Sequence, residues 1–149
     1  MRQTSIARAF ERFLKKRALK LTPQRKRIFE RAFATHEHFS AETLYGWMRQ
    51  EPGSRVSRAT VYRTLGLLLE GGFLGSLERP GGEIVYEHIA GHRHHDHMVC
   101  LGCGRIEEFH DARIESLQEE ACRRKGFRLV SHDHRLFGYC RACGRSESG

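Results

Sequence analysis

Apolar positions in the first half of the chain recur at helical spacing. Ile6, Ala9, Phe10, Phe13 and Leu14 share one face, and Arg12, Lys15, Lys16 and Arg17 cover the other. Thr22-Pro23 supplies an N-cap and a proline at the first helical position, and Ile28, Phe29, Ala32 and Phe33 then recur as the inward face of a second helix. Thr35–Phe39 reads as a loop. Ser40 caps a third helix with Leu44, Trp47 and Met48 inward, ended by Pro52-Gly53. Ser57 caps a fourth, with Val61, Leu65, Leu68 and Leu69 on one face, and Gly71-Gly72 stops it. Phe73–Leu77 and Ile84–His88 read as strands joined by the turn Arg79–Glu83. Helices followed by a hairpin are the layout of a winged helix, the third and fourth forming the helix-turn-helix. Past Ile89–Arg93 the pattern predicts strands over His95–Cys100 and Arg105–Phe109. A helix capped by Asp111 follows, with Ile114, Leu117 and Ala121 inward, and then a mostly extended run over Phe127–Phe137. The tail from Ser146 is polar and reads as loose.

Composition divides the chain at the same place. Residues 1–72 hold 15 Lys and Arg against 6 Asp and Glu, whereas residues 73–149 hold 11 against 12. All five cysteines and eight of the ten histidines lie in the second part. The first half is suited to a polyanion and the second to metal. The fourth helix sharpens the first point: Arg58, Thr60, Tyr62 and Arg63 stand near its N-terminus, opposite the apolar stripe. There a recognition helix meets base edges and phosphates. With Lys20 and Arg25 they form the expected DNA-binding set. No apolar stretch approaches membrane-spanning length, and the start shows no export signal, so a cytoplasmic protein with reduced thiols is expected.

Cys100/Cys103 and Cys140/Cys143 form two CxxC pairs separated by 36 residues. Each pair is a knuckle that brings two thiolates to one ion, and two knuckles complete a closed tetrahedral Zn²⁺ site. Gly104 and Gly144 follow the knuckles directly. Just before the first pair stands His94-His95-Asp96-His97. In an extended segment, alternate side chains point to opposite faces. His95 and His97 then share one face and His94 and Asp96 the other, enough to serve two sites. Imidazole with carboxylate suits a more exchangeable divalent ion than thiolate does. Glu87, Glu107, Glu108 and Glu115 are near enough in sequence to complete such sites.

Leu19–Arg25, Ser40–Tyr45, Ala59–Leu65 and His94–Gly104 carry a resemblance to the ferric uptake regulator family of bacterial metal-dependent repressors, and it covers nearly the whole chain. The resemblance implies an α+β protein with an N-terminal winged helix-turn-helix domain and a small C-terminal α/β dimerisation domain. The expected boundaries are 1–88 for DNA binding, 89–93 for a hinge and 94–149 for metal binding and dimerisation. It implies a homodimer on double-stranded DNA with a two-fold-related operator. It places structural Zn²⁺ on Cys100, Cys103, Cys140 and Cys143. A regulatory metal falls on His38, Glu87, His95, His97 and Glu108, and an additional site on His94, Asp96, Glu115 and His132. The linker is a residue longer than the usual pattern. His36, His88, His92 and His134 fall outside these sets, as does Cys122, which is expected to be a small buried residue.

A metalloenzyme with the HHDH run as its centre would need an open coordination position and a cleft. It would leave the basic half and the winged-helix layout without a role, so a regulator rather than an enzyme is expected. Zinc-sensing relatives generally recruit a cysteine to the regulatory site, and here only Cys122 lies outside the CxxC pairs. Peroxide-sensing relatives favour Asp where Glu87 and Glu108 stand. Fe²⁺ is therefore the expected regulatory ion and iron homeostasis the expected output. Peroxide, Zn²⁺ and Mn²⁺ sensing are the alternatives, because mixed nitrogen and oxygen sites accept several divalent ions.

Overall fold

A computed structural model describes residues 2–144 of the 149-residue chain. It divides into two compact units, Met1–Arg93 and His94–Gly149. The polar tail from Ser146 lies outside the described residues.

The first unit contains α1 (Arg2–Lys16), α2 (Pro23–Phe33), β1 (Phe39–Ser40), α3 (Ala41–Gln50), α4 (Arg58–Glu70), β2 (Leu74–Glu78) and β3 (Ile84–His88). The three expected caps form. Thr22, Ser40 and Ser57 each accept a hydrogen bond from the backbone N–H three residues on, which satisfies a donor the helix cannot. Phe10, Leu14, Ile28, Phe29, Leu44, Met48, Val61, Leu65 and Leu68 are all at most 2% exposed and form one core. Phe10 joins α1 to it by stacking on Phe29 at 5.6 Å and meeting the edge of Phe73 at 5.4 Å. Trp47 and Leu69 pack on the margin rather than inside, and Thr64 takes an inner place on α4 by donating its hydroxyl to the Thr60 carbonyl at 2.8 Å.

The sheet order is β1-β3-β2, all antiparallel. β1 was expected as loop. It is two residues long, too short for an alternating pattern, and exists because Phe39 and Ser40 pair with Tyr86 and Val85. The α2–α4 helices carrying this three-stranded sheet make a winged helix.

The second unit contains β4 (Asp96–Cys100), β5 (Ile106–Phe109), α5 (Ala112–Arg124), β6 (Arg135–Gly138) and the short α6 (Arg141–Gly144). Its sheet runs β5-β4-β6, with β4 antiparallel to β5 and parallel to β6. Three expectations fail here. The strand expected over Phe127–Phe137 shrinks to Arg135–Gly138, because its ladder with β4 begins only at His97↔Arg135. Residues 127–134 run beyond the start of β4 and pair with no strand among the described residues. Helix α5 forms, but Leu117 is 61% exposed and no residue of the helix is buried. Cys122 is likewise only half-buried, so it is not the core residue expected. Asp96, Val99 and Cys100 are the buried residues of this unit among those described. Met98, Leu117, Phe127, Val130, Leu136, Phe137 and Tyr139 all present apolar surface.

Candidate metal centres and nucleic-acid face

The four CxxC cysteines converge as their spacing implies. One sulfur from each of Cys100, Cys103, Cys140 and Cys143 lies within 4.8 Å of the others. The first knuckle follows β4 directly. The second follows β6, the parallel neighbour of β4, so the ladder brings the two together. Backbone N–H groups of Cys140 and Cys103 donate to the Cys100 sulfur at 3.3 and 3.5 Å. These bonds lower the Cys100 thiol from its ordinary range to about 6. Cys143 moves the other way, up to about 12, because Cys140 and Cys100 crowd it with competing sulfur. Four sulfurs so close can all be thiolates only around a cation, and the closed donor set fits Zn²⁺. Gly102 completes the cradle: a Cβ there would meet the Cys143 sulfur at 2.9 Å. Gly104 has φ of +74°, the left-handed turn for which glycine is suited.

The second cluster in this unit joins His94, Asp96, Glu115 and His132, again with ligand atoms within 4.8 Å. Asp96 opens β4 and is 1% exposed. His132 comes from the irregular run before β6, with its Nε2 2.8 Å from Asp96 Oδ1. His94 Nε2 lies 3.2 Å from the same oxygen, and Glu115 reaches both rings at 3.6 Å. Burial alone pushes the Asp96 carboxyl up. The His132 hydrogen bond and the charges of His132, His94 and His134 outweigh it, so the net direction is down and the carboxylate is ready to ligate. Asp96 Oδ2 and Glu115 Oε1 are buried with no hydrogen-bond partner among the described residues. Orphaned oxygens beside two imidazoles fit a divalent cation. Gln118, one turn along α5 from Glu115, accepts the His132 Nδ1 proton and leaves Nε2 for the ion. Sequence reasoning missed Gln118, because glutamine is not a usual ligand type and only the fold shows what it holds. His134, also outside the expected sets, stands 3.7 Å from Asp96.

The five residues expected for the regulatory metal divide between the units. In the first, the β1–β3 pairing of Phe39 with Tyr86 sets His38 beside Glu87, and His38 Nε2 lies 2.8 Å from the carboxylate. In the second, His97 is the direct ladder partner of Glu108. His95 precedes β4 rather than lying in it, yet its Nε2 is 3.4 Å from Glu108 and its ring 5.0 Å from that of His97. Each unit thus pairs imidazole with carboxylate.

A third group joins histidines outside the expected sets. His36, His88 and His92, all in the first unit, also offer ring nitrogens within 4.8 Å of one another.

Of the expected DNA-binding residues, Arg58, Tyr62 and Arg63 are exposed on α4 and Thr60 is half-buried beside them. Glu42 of α3 accepts from Arg58 at 3.1 Å and from the Tyr62 hydroxyl at 3.0 Å. This clamp raises the Tyr62 phenol above its ordinary value, the Glu42 hydrogen bond being the largest cause. The Arg58 guanidinium also sits 4.8 Å from the Tyr45 ring centroid. Thr60 is held by Ser57 and Arg63 reaches back to the Ala59 carbonyl. Lys20 and Arg25 are brought together ahead of the helix-turn-helix, where Arg25 donates to the Lys20 carbonyl at 2.6 Å. Glu42, which organises the face, was not foreseen, since an exposed acid ordinarily argues against DNA contact.

Residues 16–137 match the model of the ferric uptake regulator family. A ferric uptake regulation protein of Campylobacter jejuni is 36% identical over 140 residues, 93% of this chain and 88% of its own length. One from Neisseria meningitidis is 39% identical over 132 residues, 87% and 90% of the two chains. The solved structure of the Helicobacter pylori ferric uptake regulator, which revealed three functional metal binding sites, superposes with a TM-score of 0.83 at 34% identity, covering 95% of this chain and 93% of that one. With its winged helix, its tetrathiolate and its histidine-carboxylate cluster, the chain belongs to the ferric uptake regulator family of metal-responsive transcriptional regulators.

Proposed function

We propose that this chain is a non-enzymatic, iron-responsive repressor that acts in the cytoplasm as a homodimer on a two-fold-related DNA operator. The observation that carries this reading is the pairing, within one small unit, of a closed tetrathiolate with an imidazole-carboxylate cluster. The first chemistry suits a permanent Zn²⁺ and the second an exchangeable ion, which is what a stable sensor requires. In this reading residues 1–88 bind DNA, 89–93 are the hinge and 94–149 dimerise and hold metal. Lys20, Arg25, Arg58, Thr60, Tyr62 and Arg63 contact the duplex. His38, Glu87, His95, His97 and Glu108 ligate the regulatory ion, and His94, Asp96, Glu115 and His132 an additional one. The exposed apolar side chains of the second unit support dimerisation, because a patch of that kind on a small core marks an association surface.

No helix among the described residues is long and apolar enough to cross a membrane, which agrees with a cytoplasmic site of action. The regulatory ion is assigned as Fe²⁺ from the absence of an extra cysteine ligand and the presence of Glu at 87 and 108.

The test is operator binding by the zinc-loaded dimer under anaerobic titration with Fe²⁺, and with Mn²⁺ and Zn²⁺ in parallel. Fe²⁺ should raise DNA affinity at least tenfold. His38→Ala and His95→Ala should each abolish that gain while keeping zinc and dimer. If either variant responds to Fe²⁺ like the wild type, the ligand assignment fails. A gain with Zn²⁺ or Mn²⁺ alone would move the chain to another branch of the family.

A further inference from the structure

His36 lies in the loop before α3, His88 ends β3, and His92 lies in the turn that follows. None of the three belongs to the ligand sets above. Their ring centroids are 5.2 Å apart for His36 and His88, 4.5 Å for His88 and His92, and 5.9 Å for His36 and His92.

The arrangement is built. The backbone N–H groups of Ile89 and Ala90 both donate to the Phe73 carbonyl, which anchors the chain leaving β3. The His92 N–H then donates to the Ile89 carbonyl at 3.1 Å, closing a turn through Gly91 at φ +82°. That turn carries His92 back over His88. His88 is 8% exposed and packs against Phe33 at 5.2 Å. One of its ring nitrogens bonds the Thr35 backbone. The other, Nε2, is buried with no hydrogen-bond partner among the described residues. A backbone carbonyl on one imidazole nitrogen fixes the tautomer and leaves the other nitrogen's lone pair to a metal. His36 and His92 are exposed, which leaves an approach from solvent, and the three rings line a cavity of about 380 Å³.

We propose that His36, His88 and His92 form a further metal site, confined to the first unit, for an imidazole-preferring late divalent cation: Zn²⁺, Ni²⁺ or Cu²⁺. An all-nitrogen set favours these ions over Fe²⁺ and Mn²⁺, which rank lower in the affinity order. Nitrogens within 4.8 Å need only small ring movements to meet one ion at about 2.1 Å. Three protein ligands leave a fourth position for water. An ion here ties the turn at 89–92 to the loop that enters α3, so the first unit gains its own metal input. The inference does not depend on the regulatory ligand set, with which it shares no residue.

The experiment is Ni²⁺ binding to the full-length, zinc-loaded chain, followed by calorimetry and by metal analysis after desalting. Wild type should bind one more Ni²⁺ per chain than His36→Ala or His92→Ala. His110→Ala, which alters a histidine of no cluster, should match wild type. Both test positions are exposed, and circular dichroism checks that the variants fold. Equal stoichiometry and equal isotherms in wild type and both variants overturn the site. Independently, Zn²⁺ added to the wild type should shift the His88 Nε2 nitrogen resonance while its other ring nitrogen keeps its proton. A His88 ring that does not respond also overturns it.

Discussion

Gly102 is the residue on which the zinc cradle closes most tightly. An alanine Cβ there would meet Cys143 Sγ at 2.9 Å and Cβ at 3.0 Å. Gly102→Ala should displace the second knuckle and cost about 1–3 kcal/mol, the usual range for overpacking. The checks are faster zinc loss to a chelator and a lower melting temperature. Unchanged zinc retention would mean that the knuckle relaxes freely. Gln118 acts one bond further out. Gln118→Ala removes the acceptor that orients His132, so metal affinity at the His94, Asp96, Glu115 and His132 cluster should fall about 10–100-fold. Isothermal titration in a background carrying both His36→Ala and His38→Ala isolates that cluster from the other proposed sites, and an unaltered constant would show that Gln118 orients nothing. Of the four proposed ligands, alternation along HHDH separates His94 and Asp96 from their neighbours, Glu115 is one of several candidate carboxylates, and His132 enters only through the family resemblance. Gln118 and Gly102 could not, since their roles depend on which side chain the fold brings against them.

Among the elements, the helices of the first unit were legible because each signal agreed with the next. Cap and apolar period coincide in α2, and cap, apolar period and stop in α3 and α4, and Leu65 lies in the resulting core with no exposure. Leu65→Ala should destabilise the unit by about 2–5 kcal/mol, the range for a buried leucine truncated to alanine. Thermal or urea unfolding checks it, and a loss below 1 kcal/mol would place Leu65 outside a tight core. The second unit was less legible for a physical reason. The extended run before β6 spends His132 and His134 on Asp96 instead of on a ladder, so strand-like composition there does not make a strand. Helix α5 has an apolar period, but no core among the described residues buries it. Leu117→Asp should therefore be nearly silent for the isolated fold, as exposed substitutions are. It should dissociate the proposed dimer, as read by light scattering with circular dichroism alongside. A variant that keeps the wild-type dimer would take α5 out of the association surface.

At the scale of the molecule, the two metal chemistries predict two different pH limits. A histidine must lose its proton to ligate, so metal affinity falls on acidification. His38, His95 and His97 are all in the proposed regulatory set, so protons compete with that ion at three ligands. The tetrathiolate behaves differently. Backbone donors hold the Cys100 thiol near 6 while neighbouring sulfurs raise Cys143 to about 12, so it is the closed set of four charged ligands, once the ion is in place, that resists proton competition. The sign is the same for both sites, loss on acidification, but the thiolate limit lies lower. On acidification the protein should therefore lose metal-dependent DNA binding before it loses its zinc and its dimer. Binding is also reciprocal: whatever factor the regulatory ion adds to operator affinity, operator DNA must add to affinity for the ion. DNA should then shift the loss of response to lower pH by holding the ion more tightly. Zinc content, dimer mass and Mn²⁺-dependent operator affinity measured from pH 7.5 to 5 test both statements. Simultaneous loss of zinc and response would mean that one site serves both purposes. An acid limit unmoved by operator DNA would mean that the ion and the duplex do not act on the same equilibrium.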